Sequence, residues 1–118
     1  MQFVVQFYVD RHGTIPIRDF LDSLETSQPT LHRLVTNSFV KLVDSRFHGP
    51  PLTQRVDATH GIYELRVGRA DIARVFFFFR VGRTIVVTNG YVKKQQKLDR
   101  RELDRARRLK ADWEERHP

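Results

Sequence analysis

The chain has 118 residues, 40% of them hydrophobic and 30% charged, a balance that specifies one globular domain over residues 1–118 and excludes a disordered chain. It has no cysteine, which excludes a disulfide framework, zinc ribbons and thiol catalysis. The longest apolar run, Val75 to Phe79, is too short to span a membrane. No basic-then-apolar signal region opens the chain, so the expected compartment is cytoplasmic.

Charge is more informative. Lysine and arginine number 21 against 14 aspartate and glutamate, a net charge of +7. Five basic side chains before residue 54 (Arg11, Arg18, Arg33, Lys41, Arg46) balance five acidic ones (Asp10, Asp19, Asp22, Glu25, Asp44). Residues 54–118 therefore carry the whole +7. Such an excess points to a polyanionic partner; the plainer alternative is a soluble domain that happens to be basic.

In chain order, Gln2 to Val9 reads as a β-strand and Asp10 to Gly13 as a turn. Thr14, with Pro16 just inside, opens a helix whose apolar positions are Ile17, Phe20, Leu21 and Leu24. Pro29 starts a second helix with the stripe Leu31, Leu34, Val35, Ser38, Leu42 and Val43, stopped by Gly49, Pro50 and Pro51. In these helices His32 and Lys41 read as solvated. Leu52 to Gly61 reads as an irregular connector. Strands follow at Ile62–Val67, Ile72–Arg80 and Thr84–Tyr91, joined by short links at Gly68-Arg69-Ala70 and Gly82-Arg83. The middle strand is apolar on both faces and so belongs at the centre of the sheet. A last helix starts at Asp99, with Glu102 in capping-box spacing and the stripe Leu103, Ala106, Leu109, Trp113. The order β-α-α-β-β-β-α predicts an α+β domain with helices gathered on one side of a small antiparallel sheet.

The five histidines lack metal-ligand spacing. There is no Walker loop, dinucleotide fingerprint or nucleophile elbow. Neither a metal nor a cofactor is expected. What remains is a collection of cations on the sheet. A two-residue turn at Gly82-Arg83 places Arg74 opposite Tyr91 and Phe76 opposite Asn89, whereas a one-residue slip would separate them. A three-residue loop after Val67 puts Arg66 on the same face as Arg74. Lys93, Lys94 and Lys97 follow Tyr91.

This set suits RNA scission by internal attack. That reaction deprotonates a 2′-oxygen, neutralises the phosphorane and protonates the 5′-oxygen. Arginine clamps phosphate and keeps its charge, lysine or tyrosine exchanges protons, and the aromatic ring stacks on a base. The same basic sheet would also suit simple binding of RNA, DNA or an acidic protein. The arginine series Arg100, Arg101, Arg105, Arg107 and Arg108 is either a solvated helix face or a nucleic-acid contact. Trp113 reads as the apolar anchor of its helix, and His60 as structural although it lies beside a site strand.

The segments Gly61-Ile62-Tyr63-Glu64-Leu65-Arg66, Ala73-Arg74-Val75-Phe76-Phe77 and Asn89-Gly90-Tyr91-Val92-Lys93-Lys94 together resemble the RelE/ParE superfamily of type II toxin–antitoxin toxins, in its phage-derived HigB-like branch. The resemblance implies a microbial-RNase-like fold and a ribosome-dependent mRNA endonuclease. It implies as partners a cognate antitoxin, the ribosome and mRNA, with operator DNA bound only by the toxin–antitoxin complex, and no membrane. Carried over, Arg66 and Arg74 bind phosphate and the transition state, and Tyr91, Lys93 and Lys94 form the stacking and acid–base end. Arg69, Arg80, Arg83, Asn89 and Lys97 complete the expected RNA contacts, and Glu64 is expected in a structural ion pair with an arginine. Asn89 stands where a histidine often precedes the Gly-aromatic pair, which shifts proton transfer to Tyr91 and the lysines. The alternatives are a non-catalytic ParE-like toxin of DNA gyrase and an inactive nucleic-acid-binding relative.

Overall fold

Proline placement explains the start of the fold in the computed structural model, which describes residues 1–93 and 97–118. After β1 (Val4–Phe7), Pro16 occupies the first turn of α1 (Pro16–Ser27) and Pro29 the first turn of α2 (Pro29–Leu42). Pro29 also disfavours helical backbone at Gln28, which has φ −146° and divides what would otherwise be one helix. A single 3₁₀ turn at Ser45–Phe47 leads towards β2 (Thr53–Asp57). Then come β3 (Ile62–Gly68), β4 (Ile72–Arg80), β5 (Thr84–Lys93) and α3 (Arg100–Arg116). Asp99 caps α3, its carboxylate accepting from the backbone N–H of Arg101 and of Glu102. Among the described residues no helix is long and apolar enough to cross a membrane.

The five strands run in the order β1-β5-β4-β3-β2, so the phenylalanine-rich β4 is central as expected. Its alternation serves two cores. Val75 and Phe77 face Ile17 and Leu24 of α1 and Leu31, Val35 and Leu42 of α2. Phe76 packs with Ile62, Leu103 and Ala106, and Phe78 with Tyr8, Val86, Leu109 and Trp113. The α+β class holds, and α1 and α2 share one side of the sheet. Helix α3 meets the alternate β4 side chains, which point to the other face. Trp113 anchors it there, edge-on to Phe78 at 6.3 Å. At its C-terminal end the Tyr8 hydroxyl donates to Asp112 Oδ2 at 2.5 Å, and Arg116 Nη2 donates to Asp112 and to the Val9 carbonyl.

Three sequence expectations need correction. The sheet is mixed rather than antiparallel, because β1 runs parallel to β5. The connector after Leu52 contains β2, a short edge strand whose polar residues gave no apolar alternation. The β4–β5 link has three residues, since Arg80 pairs with Thr84. That turn alone would have put Arg74 opposite Gly90. A β-bulge shifts the register instead: β5 passes from Val87 to Gly90 while β4 passes only from Phe77 to Val75, so Thr88 and Asn89 both oppose Phe76. Arg74 therefore does pair with Tyr91.

The bulge also reverses the parity of β5. Val86 faces α3 before it, and Tyr91, on the opposite parity, faces α3 after it. Gly90, just past the bulge, lets α1 approach closely. A Cβ there would lie 2.8 Å from Phe20 Cδ2 and 3.1 Å from Val75 Cγ2.

Candidate functional site

Beyond the N-terminal end of α3, the same face of the sheet turns from apolar to ionic. The centre is Glu64 on β3, 0% exposed. Arg74 Nη1 donates to both Glu64 oxygens at 2.8 Å, and Gln54 Nε2 on β2 donates to Oε1 at 3.2 Å. Arg66 Nε lies 3.8 Å from Oε1. Arg66 and Arg74 are direct cross-strand partners, and two like charges so placed would destabilise the sheet without the carboxylate between them. The expected Glu64–arginine pair thus exists, and it is buried. A buried carboxylate needs such a set of donors to offset its lost hydration.

The two arginines are not equivalent. Arg66 has 42% of its side chain exposed, whereas Arg74 has 7%. Arg74 Nε is also buried without an acceptor among the described residues. Arg66 is consequently the more accessible of the two cations. Arg74 orients Glu64 and adds charge from below.

Tyr91 stacks on Phe76 with centroids 6.0 Å apart, and its hydroxyl accepts the Asp99 N–H at 3.1 Å. Burial pushes the hydroxyl pKa up, only partly opposed by that hydrogen bond and by Arg74. Tyr91 therefore stays protonated at neutral pH and can donate a proton. Two residues along the strand, Lys93 projects to the same face. Desolvation lowers its pKa, as do the charges of Arg74 and Arg66, against the opposing pull of Glu64. A lysine lowered in this way is a better proton acceptor than a solvated one. Three cations around one carboxylate leave the cluster net positive.

The other expected residues divide. Arg69 is exposed on the β3–β4 loop, near Arg66, and the two line one cavity. Lys97 is exposed just before α3, and Lys94 lies outside the described residues. Arg80 and Arg83 are not brought to the cluster. Arg80 ends β4, six residues or about 20 Å from Arg74, and Arg83 lies in the link beyond it; there Arg80 reaches Glu114 and the His117 carbonyl. Asn89 is 0% exposed and its amide donates to the Glu102 carbonyl and carboxylate, so it ties β5 to α3 rather than meeting a ligand.

Sequence reasoning missed Gln54, because β2 itself was not recognised. His60 is structural: its ring Nδ1 lies 2.9 Å from Asp57 Oδ2, an oxygen that Arg107 Nε of α3 also reaches at 2.6 Å. Burial pushes the Asp57 pKa up, but hydrogen bonds from the His60 N–H, Arg107 and the His60 ring outweigh it and hold the pKa at about 2. Among the described residues no group of three His, Cys, Asp or Glu is placed to hold a metal.

No curated protein matches the chain. The family model described as phage derived protein Gp49-like matches residues 19–111, which include every residue of the ionic cluster. With most of its length matched, the chain belongs to the Gp49-like family of phage-derived proteins.

Proposed function

We propose that this protein is the toxin of a type II toxin–antitoxin system of the RelE/HigB kind: a cytoplasmic, metal-independent, ribosome-dependent mRNA endonuclease held in check by a cognate antitoxin. The observation that carries this reading is the convergence of Arg66, Arg74, Tyr91 and Lys93 on one sheet face, dependent on the β5 bulge. In this reading Arg66 binds the scissile phosphate, with Arg74 reinforcing the field from beneath. Lys93 takes the proton from the 2′-oxygen, which attacks the adjacent phosphorus. Tyr91 gives its proton to the departing 5′-oxygen, leaving a 2′,3′-cyclic phosphate and a free 5′-hydroxyl. A cluster that holds an anion but has only partly exposed acid–base groups fits a substrate ordered by the ribosome.

The test is a purified translation reaction with one defined mRNA, its ends mapped by primer extension. Discrete cuts that require ribosomes support the reading. Intact mRNA from folded protein sinks it, and a concurrent change in DNA supercoiling by gyrase would replace it with the ParE-like alternative.

A further inference from the structure

Past Arg66 the surface opens into a cavity of about 860 Å³, bounded by α2, the Ser45–Phe47 turn, the segment leading to β2 and the β3–β4 loop. Leu34, Phe47, Leu52 and Val67 give it an apolar floor. Leu34 and Phe47 come from different elements, yet both remain well exposed, at 39% and 44%. Lys41, Arg66 and Arg69 stand around that floor, and no carboxylate is among the lining residues. Arg46 also lines it, but is paired to Asp44 at 2.6 Å.

An apolar floor with a cationic rim matches one class of occupant. We propose that this groove docks an acidic peptide segment of a partner protein, its apolar side chains against Leu34 and Phe47 and its carboxylates at Lys41, Arg66 and Arg69. Single-stranded nucleic acid fits less well, because it needs open aromatic faces for its bases. Lys41 Nζ already sits over the Phe47 ring at 5.8 Å, and the His48 ring is packed against Phe3 and Phe79. The remaining floor is aliphatic or proline.

Arg66 belongs to both the groove and the ionic cluster. A carboxylate seated on it withdraws the accessible cation from the sheet face, so docking and anion binding there compete. This competition rests on the proposed function; the docking itself does not.

The experiment selects random linear peptides displayed on phage against the full chain, then measures the winners in solution. Expected winners combine Asp or Glu with Leu, Ile, Val or Phe. Their Kd rises at least about tenfold in Leu34→Glu and in Lys41→Glu, and is unchanged in Arg108→Glu on the far face of α3. Circular dichroism checks that each variant is folded. No enrichment, neutral or basic winners, or indifference to both groove changes would overturn the proposal. So would groove changes that weaken a labelled 2′-O-methyl RNA and spare the peptide, which would assign the groove to nucleic acid. In wild type the winning peptide also suppresses mRNA cleavage. If cleavage is absent altogether, peptide affinity still decides the docking.

Discussion

One face of the sheet holds two regions built on opposite principles. Around Phe76 and Phe78, helix α3 closes the surface with Leu103, Ala106, Leu109 and Trp113. One row further along β4 the same side-chain position is Arg74, over a carboxylate with no exposure. The apolar region draws its stability from removing carbon surface from water. The ionic region must first offset the dehydration of Glu64 and Arg74, and a buried pair of this kind often stabilises no more than a hydrophobic isostere would. An arrangement with little advantage over an apolar replacement, which yet gathers cations beside an accessible arginine, is one that binding explains better than packing.

The comparison breaks most severely if Glu64 is replaced. Glu64→Ala leaves Arg74 buried without its counter-charge and is expected to destabilise the fold by about 3–5 kcal/mol. Urea unfolding reads this directly, and a loss below about 1 kcal/mol would show that the pair is not desolvated. Phe76→Ala in the apolar region is expected to cost a similar amount, about 3–5 kcal/mol, by leaving a cavity. Equal losses from such different chemistry would show that stability alone cannot tell the regions apart.

The pH dependence of cleavage separates them further. With Lys93 as base, the rate rises with pH through a lysine pKa lowered from its usual value, then levels off. Lys93→Gln abolishes that rise; a wild-type rate that falls over the same range would contradict the assignment. The smallest effect belongs to the clamp at Asp57. Its folded pKa of about 2 lies below the ordinary value of 3.8, so its contribution is complete above the ordinary value and disappears as pH falls through 2. Asp57→Asn is expected to flatten acid unfolding in that window and leave cleavage unchanged. An acid limb identical to wild type would remove the clamp from the account.

Much of this was legible in the residues. The phenylalanine run declared a strand buried on both faces, Asp99 declared a helix start, and Arg66 and Arg74 were correctly placed together. Tyr91 was matched to Arg74 through a turn one residue too short, and the unforeseen bulge at Thr88 and Asn89 restored the pairing. Bulges of this kind leave no local signature when the extra residue is ordinary. The parallel β1, the polar edge strand carrying Gln54 and the burial of Asn89 depend on contacts distant in sequence, which periodicity cannot reveal. Arg80 and Arg83, expected among the RNA contacts, are carried by the length of β4 to the other end of the sheet.

The most direct test of the central claim uses Arg66→Ala, measured on one preparation for both unfolding midpoint and ribosome-dependent mRNA cleavage. Arg66 is half exposed and outside the buried pair, so the midpoint should stay close to wild type while cleavage falls at least about a hundredfold. Cleavage retained in the folded variant would contradict the assignment of the ionic face as the functional site.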